Sequence, residues 1–129
     1  MIFLSIDEII SLHNKLITTT GGSNGLREYG LLESAVFNTM TSFDDNEAYP
    51  STEEKAARLM FSLVSNHAFV DGNKRTGVLI MLMTLRLNHI ALHYTQSELI
   101  HLGLSVASGE SKYDNVLDWI RSHTLEIIN

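Results

Sequence analysis

The apolar residues of this chain recur at helical intervals over most of its length. In the first such segment, the residues that share one helix face are Ile6, Ile9, Ile10, Leu16 and Ile17. Glycines that begin at position 21 mark its end. Three helix starts carry a capping box, in which a Ser or Thr is followed three positions later by a Glu. The pairs are Ser5 with Glu8, Ser51 with Glu54, and Thr95 with Glu98.

These signals predict six helices, over about residues 5–20, 31–40, 51–67, 76–87, 95–107 and 113–125. Because Thr76–Leu87 is apolar almost all round, we expect a central helix buried on every side, with Asn88 as its stop. Residues 91–94 have the composition of a short strand, with residues 2–4 as the expected partner. The predicted fold is therefore all-α, a compact orthogonal bundle of about six helices with at most one very short β-pair. Residues 1–129 are expected to form a single domain.

Composition and charge narrow the function. The 129 residues include no Cys, which excludes disulfides, thiolate metal sites and Cys nucleophiles. The net charge of −6 argues against generic binding to nucleic acid or to an anionic membrane surface. The most apolar run has about a dozen residues, whereas a bilayer span needs about 20. Because acidic residues directly follow the apolar Met1–Ile6, we expect no signal peptide and a cytoplasmic location.

One segment, His67–Thr76, lies between two core-forming helices and has five polar or charged side chains in its first nine positions. Polar groups next to a core must be hydrogen-bonded or functional. Gly72 and Asn73 precede the buried helix, whose first backbone N–H groups lack internal partners and attract anions. Gly72 has no Cβ, so that a ligand can approach the backbone closely. Lys74 and Arg75 are unfavourable at a helix N-terminus, and a bound polyphosphate accounts for their presence.

Other side chains of this segment complete a candidate nucleotide site. Asp71 is the one carboxylate beside the two cations, and a single carboxylate together with substrate phosphates is a usual way to hold Mg²⁺. His67 ends the preceding predicted helix, and an imidazole suits a general base for a hydroxyl nucleophile. Phe69 is expected to anchor the loop in the core. Together these groups suit phosphoryl or nucleotidyl transfer, which depends mostly on positioning and charge stabilisation.

The segment His67–Arg75 resembles the signature of the Fic/Doc family, H-x-F-x-D-G-N-x-R, which fixes six residues in nine positions. The resemblance covers most of the chain. The segments Gly25–Ala35, Tyr49-Pro50 and Lys55–Ala57 are similar to the death-on-curing (Doc) branch of that family. The short length of the chain is also typical of this branch.

Departures from the Fic pattern bear on the reaction. Fic proteins that transfer AMP have Gly where this chain has Lys74, and a second Arg where it has Val78. In the Doc branch, which shares this Lys, the nucleotide is understood to present its γ-phosphate. The resemblance therefore implies a toxin of a toxin–antitoxin module, a protein kinase that uses ATP and Mg²⁺ to phosphorylate a Thr of elongation factor Tu and so blocks translation. Ala68 stands where many relatives have Pro, and should loosen the loop slightly.

The resemblance also implies roles for individual residues. His67 would be the general base, and Asp71 would hold Mg²⁺ and orient His67. The expected catalytic residues are His67, Asp71, Lys74 and Arg75, and the expected phosphate-binding residues are Gly72, Asn73, Lys74 and Arg75. Arg27 and Glu28 match a Doc segment, but the sequence reveals no role for them. Doc toxins are typically silenced by an antitoxin whose disordered tail folds into a groove near the site, so we expect such a groove here.

Two alternatives stay open. One is an AMP or other nucleotidyl transferase with the opposite nucleotide orientation, which Lys74 and Val78 disfavour. The other is a catalytically idle phosphate- or partner-binding module of the same fold. Outside the signature, His89 and His93 have a spacing that suits a metal on a helix, but we interpret them as surface residues. The remaining histidines, interpreted as surface or boundary residues, are His13, His101 and His123.

Overall fold

A computed structural model describes residues 1–125, and this part of the chain folds into six α-helices and one small hairpin. The elements in chain order are α1 (Ile6–Thr20), α2 (Tyr29–Phe37), β1 (Ser42–Phe43), β2 (Asn46–Glu47), α3 (Thr52–Asn66), α4 (Asn73–Leu87), α5 (Gln96–Ala107) and α6 (Tyr113–His123). One turn of 3₁₀-helix, Asn38–Met40, follows α2. The predicted all-α fold is confirmed.

All three capping boxes are present. Ser5, Ser51 and Thr95 each accept a hydrogen bond from the backbone N–H of the Glu three positions later, and the Glu carboxylate accepts one from the backbone N–H of the cap residue. Each box satisfies two backbone groups that an open helix end would leave without partners. The starts of α1, α3 and α5 therefore follow from local sequence.

Helices α3 and α4 form the centre of the fold and lie between two hydrophobic clusters. Leu59 and Leu63 of α3 pack in a cluster that includes residues of α1 and α2. Met60 and Val64 of the same helix pack with residues of α5 and α6. The two central helices approach closely at Gly77, where a Cβ would lie 2.6 Å from the Val64 side chain. This close contact holds the end of α3 next to the start of α4, and the loop between them is short.

The prediction that the central helix is buried on every side is wrong for one face. Val78, Leu79 and Leu82 are only half-buried, because they line an open groove between α1, α4 and α5. The helix also begins at Asn73, three residues before the predicted start. With 15 residues, α4 has the same length as α1 and α3. No helix within residues 1–125 is long and apolar enough to cross a membrane.

The expected β-pair between residues 91–94 and 2–4 does not form. Leu92 instead forms an isolated bridge with Thr124, after the end of α6. The backbone N–H and C=O of Ile2 bind the Asn88 side chain, at 2.7 and 2.8 Å. Asn88 ends α4 as predicted, and its Nδ2 also donates to the carbonyl of Thr84 at 2.7 Å. The one two-stranded sheet in residues 1–125 is the hairpin β1–β2, whose turn is Asp44 and Asp45.

Helix α6 ends at His123, two residues before the predicted end. The last part of the predicted range, Thr124 and Leu125, is extended because it pairs with residues 91–93. Residues 126–129 lie outside the described part of the chain.

His123 joins α6 to α5 through Nε2, and its Nδ1 bonds back to the backbone of α6. Nε2 lies 2.5 Å from Oε2 of Glu98, and Nδ1 lies 2.7 Å from the carbonyl oxygen of Trp119. Partial burial lowers the pKa of His123, but the hydrogen bonds to Glu98 and to the Trp119 carbonyl outweigh it, so that the pKa is raised overall. The hydrogen bond from His123 is the main reason that the pKa of Glu98 is lowered. His123 is therefore a half-buried ion-pair partner.

This ion pair predicts a pH dependence of stability. A raised His pKa stabilises the fold fully below about pH 6.5, and the contribution is lost as the pH rises through the folded-state value. A lowered Glu pKa stabilises the fold above about pH 4.3, and that contribution is lost as the pH falls. The wild type should therefore lose free energy of unfolding as the pH rises above about 6.5 and through the folded-state pKa of His123, and His123→Gln should lose less of it. Urea titrations across this range measure the effect.

The matched control is His101→Gln, because His101 is an exposed histidine of α5. This variant should keep the wild-type pH dependence. Identical pH profiles for the wild type and His123→Gln would contradict the assignment.

Candidate active site

The residues of the predicted site lie in the loop between α3 and α4 and in the first turn of α4. His67 follows the last residue of α3 and has a left-handed backbone, with φ 52° and ψ 50°. Gly72 precedes α4 and is also left-handed, with φ 79° and ψ 16°. The His67 side chain is exposed, whereas Gly72 is buried. The loop therefore presents His67 to solvent and turns the chain sharply into α4.

The Asn73 side chain closes the loop from inside. Its Oδ1 accepts a hydrogen bond from the backbone N–H of Phe69 at 3.0 Å, and its Nδ2 donates to the carbonyl of Phe69 at 2.9 Å. Phe69 is 2% exposed and belongs to the hydrophobic core, as predicted. The Asn73 side chain is itself buried, so this residue can offer a phosphate only its backbone N–H.

The Asp71 carboxylate is held by two backbone N–H groups. Oδ2 accepts from Ser23 at 3.1 Å, and Oδ1 accepts from Gly72 at 2.8 Å. These two hydrogen bonds lower the pKa of Asp71, and the charge of Arg75 lowers it further. The carboxylate is therefore ionised at neutral pH, and it bonds to Ser23 and Gly72 rather than to His67. Ser23 was not singled out by the sequence, because it lies 48 positions from Asp71.

The N-terminus of α4 has no side-chain cap within the described chain, so its first N–H groups are available to an anion. Lys74 is exposed beside it. Arg75 donates from Nη1 to the Thr20 hydroxyl and, at 3.0 Å, to the carbonyl of Gly21 at the end of α1. A Cβ on Gly72 would lie 3.6 Å from the other guanidinium nitrogen, Nη2, which therefore lies beside the loop.

Arg27 and Glu28 have a role that the sequence did not reveal. Their backbone N–H groups both donate to the carbonyl of Ala68, at 2.8 and 3.1 Å. The Arg27 guanidinium donates to the carbonyls of His67 at 2.7 Å and Asn66 at 3.2 Å. These carbonyls end α3, and a cation favours that position. Arg27 therefore fixes the backbone of His67. At position 68 these contacts involve only the backbone carbonyl, and not the side chain.

The segment 25–28 runs antiparallel to the loop. Leu26 bridges Phe69, and the backbone N–H of Val70 donates to the carbonyl of Gly25 at 3.0 Å. With the two bonds to Ala68, this pairing attaches the middle of the loop to the chain before α2. Val70 itself is 56% exposed.

His13 is not a surface or boundary residue, contrary to the prediction. It is fully buried, and its Nε2 lies 2.7 Å from the backbone carbonyl oxygen of Asp71. The signal that pointed to burial was its position, because His13 lies four residues from both Ile9 and Ile17 on the apolar face of α1.

The other histidines lie away from the loop. His89, His93 and His101 are exposed, which agrees with their interpretation as surface residues. Among residues 1–125, no three His, Asp or Glu side chains come together in a way that could hold a metal ion.

The groove on the open face of α4 starts beside the loop. It encloses about 320 Å³ between α1, α4 and α5. Lys74 and Arg75 lie at the end nearest to the loop, and the rest of the lining is mostly apolar. The apolar lining residues are Leu16, Val78, Leu79, Leu82, Leu99, Ile100 and Leu104.

A helix–loop–helix that exposes a His, an ionised Asp and an uncapped helix N-terminus defines a candidate phosphate-transfer site. Comparison with known proteins agrees, because the model of the Fic/DOC family matches residues 3–85. The chain belongs to the Fic/Doc family.

Within this family the chain is similar to Doc proteins. It is 30% identical to the protein kinase doc of Escherichia phage P1 over 118 residues, which cover 92% of each chain. It is 43% identical to the toxin Doc of Mycolicibacterium smegmatis over 72 residues, which cover 56% of this chain and 55% of that protein. The signature loop lies within the region that the family model matches.

Two neighbouring glycines provide a test of the Asp71 geometry. Both have a positive φ, 87° at Gly21 and 119° at Gly22, but only a Cβ on Gly22 would collide with Asp71, at 2.6 Å from Oδ2. Alanine at either position should lower the free energy of unfolding by about 1 kcal/mol because of the backbone conformation. Gly22→Ala alone should also displace the carboxylate, and the backbone amide signals of Ser23 and Gly72, which bond to it, measure this by nuclear magnetic resonance.

The control is Gly21→Ala, because a Cβ there has nothing within 4 Å. Unchanged Ser23 and Gly72 signals in Gly22→Ala would contradict this placement of the Asp71 carboxylate.

Proposed function

We propose that this chain is a Doc-type toxin of a toxin–antitoxin module, a protein kinase that acts in the cytoplasm. Its substrates are ATP and a Thr hydroxyl of elongation factor Tu. The observation that carries the proposal is the uncapped N-terminus of α4, which carries the exposed Lys74 and follows a loop with the exposed His67 and the ionised Asp71. The similarity to a phage P1 protein named as a protein kinase, over nearly the whole chain, supports the same class of reaction.

In the proposed reaction, His67 takes the proton of the Thr hydroxyl as its oxygen bonds to the γ-phosphorus. The bond between the γ-phosphorus and its bridging oxygen breaks, and ADP leaves. The exposure of His67 allows a protein substrate to reach it. The N–H groups of α4 and the ammonium of Lys74 stabilise the charge on the phosphate oxygens, which is the main requirement of this chemistry.

The surroundings of Asp71 fit Mg²⁺. The carboxylate is ionised, and each oxygen accepts one backbone N–H, so that lone pairs are left for a cation. A bound Mg²⁺ neutralises the charge of the phosphates. Asp71 would be its one protein ligand, with phosphate oxygens and water as the others.

Lys74 and Val78 support a nucleotide that presents its γ-phosphate. Lys74 adds a charge next to the N-terminus of α4, at a position where its side chain also borders the groove. Val78, one turn further along α4, adds no charge and lies half-buried in the same groove. Fic proteins that transfer AMP have a second phosphate-binding Arg at the position of Val78. This chain therefore lacks that cation.

We propose that the groove between α1, α4 and α5 takes the disordered tail of an antitoxin. Ile100 and Leu104 are 55% and 50% exposed at its rim, one turn apart on α5. An amphipathic segment that folds on binding would bury them. Acidic residues of the tail would meet Lys74 and Arg75 at the end nearest to the loop, and so would keep phosphates away.

The reaction is tested by the mass of elongation factor Tu after incubation with the protein, ATP and Mg²⁺. We expect a gain of one phosphate. His67→Ala should slow the gain by about 10²- to 10⁴-fold, because it removes the general base. His101→Ala, a change at an exposed histidine of α5, is the matched control and should react as the wild type does.

A gain of AMP instead of phosphate would show the opposite nucleotide orientation. Elongation factor Tu that keeps its mass would contradict the proposed target, and failure to bind ATP as well would favour a catalytically idle module.

The groove is tested by Ile100→Glu with His101→Glu as its matched control. The two positions are adjacent on α5 and both are exposed, but only Ile100 lines the groove. Ile100→Glu should weaken binding of the cognate antitoxin by roughly tenfold or more, since it puts a charge against apolar side chains. Calorimetric titration measures the affinity, and equal affinity for both variants would rule out this groove.

A further inference from the structure

His13 is a polar side chain in the middle of an apolar helix face. It is 0% exposed and lies among core residues of α1, with Ile9 and Ile17 one turn away on each side. A buried polar group destabilises a fold unless its hydrogen bonds are made. An aliphatic side chain could be buried here without this free-energy penalty. The contacts that the imidazole makes must therefore account for its presence.

Those contacts are with the signature loop. The imidazole stacks on the Phe69 ring, with the centroids 3.8 Å apart and the planes 8° from parallel. Its Nε2 lies 2.7 Å from the carbonyl oxygen of Asp71. A Cβ on Gly72 would lie 3.6 Å from the same nitrogen. One side chain of α1 thus contacts Phe69 and Asp71 of the loop and lies next to Gly72.

The hydrogen bond defines which ring nitrogen carries the proton. A carbonyl oxygen only accepts, so Nε2 must donate. Nδ1 is buried and has no hydrogen-bond partner within the described chain. An unpaired acceptor at Nδ1 costs less than an unpaired N–H donor there. The ring is therefore the tautomer with its proton on Nε2.

The bond acts on the peptide that joins Asp71 to Gly72. This peptide is planar, so fixing its carbonyl oxygen also fixes the direction of its N–H. That N–H, on Gly72, donates to Oδ1 of Asp71 at 2.8 Å. The next residue along the chain, Asn73, begins α4. Holding one carbonyl therefore sets the direction of the Asp71 carboxylate and the orientation of the helix N-terminus.

We propose that His13 is a positioning residue for the phosphate site. It acts through Asp71 and Gly72 and contacts neither the nucleotide nor the protein substrate. The part of this inference that concerns ligands rests on the proposed function. The part that concerns the geometry of the loop does not, and it can be measured on the free protein.

Two substitutions separate the hydrogen bond from the shape of the side chain. His13→Gln places an amide N–H where Nε2 lies but removes the ring. His13→Phe keeps a ring against Phe69 but removes the donor. Ile9→Val is the control, because Ile9 is a buried residue of the same helix face one turn away. Nuclear magnetic resonance of the free proteins reports the backbone amides of Gly72 and Ser23, and calorimetry reports binding of Mg²⁺ with ATP.

The proposal expects His13→Phe to shift both amide signals and to weaken Mg²⁺–ATP roughly tenfold, the loss of about one hydrogen bond. His13→Gln should keep the amide signals near their wild-type positions and bind within about threefold. Ile9→Val should lower only the melting temperature. If the Phe variant does not fold, His13→Asn replaces it, because its shorter amide reaches the Nδ1 position and not Nε2.

Unchanged Gly72 and Ser23 signals in the variants without the donor would overturn the proposal. Equal shifts in His13→Gln and in the variants without the donor would also overturn it, because they would mean that His13 only fills space. A wild type that binds no Mg²⁺–ATP would refute the proposed function, and the amide signals would still decide the role of His13.

Discussion

The N-terminus of α4 is uncapped, and the rest of the site depends on this constraint. Open N–H groups at a helix end are unfavourable unless water, a ligand or a neighbour satisfies them. Here the neighbouring groups are used elsewhere: Asn73 closes the loop on Phe69, and Asp71 bonds to Ser23 and Gly72. The helix end is left for an anion, which is the physical basis of the phosphate site that we propose.

The surrounding structure holds this helix end in place from three sides. Arg27 fixes the end of α3, His13 holds the carbonyl of Asp71 from α1, and the N–H of Ser23 holds its carboxylate. These anchors come from residues 13–28, which precede the loop by about 40 to 60 positions. The geometry of the short segment His67–Arg75 therefore depends on residues far from it in the sequence.

The sequence predicted those parts that local signals determine. The capping boxes located the starts of α1, α3 and α5, and the spacing of the signature located the loop. The sequence did not predict the bridge between Leu92 and Thr124. The partner of a strand of two or three residues depends on how distant elements pack. The burial of His13 was missed for a similar reason. Its place on the apolar face of α1 was visible, but its partner is the backbone of a distant loop.

The most direct test of the account is a crystal structure with Mg²⁺ and a non-hydrolysable ATP analogue. We expect phosphates at the N-terminus of α4, the metal ion on the Asp71 carboxylate, and the γ-phosphate as the phosphate nearest to His67. A nucleotide bound away from this helix end, or one that turns its α-phosphate towards His67, would contradict it.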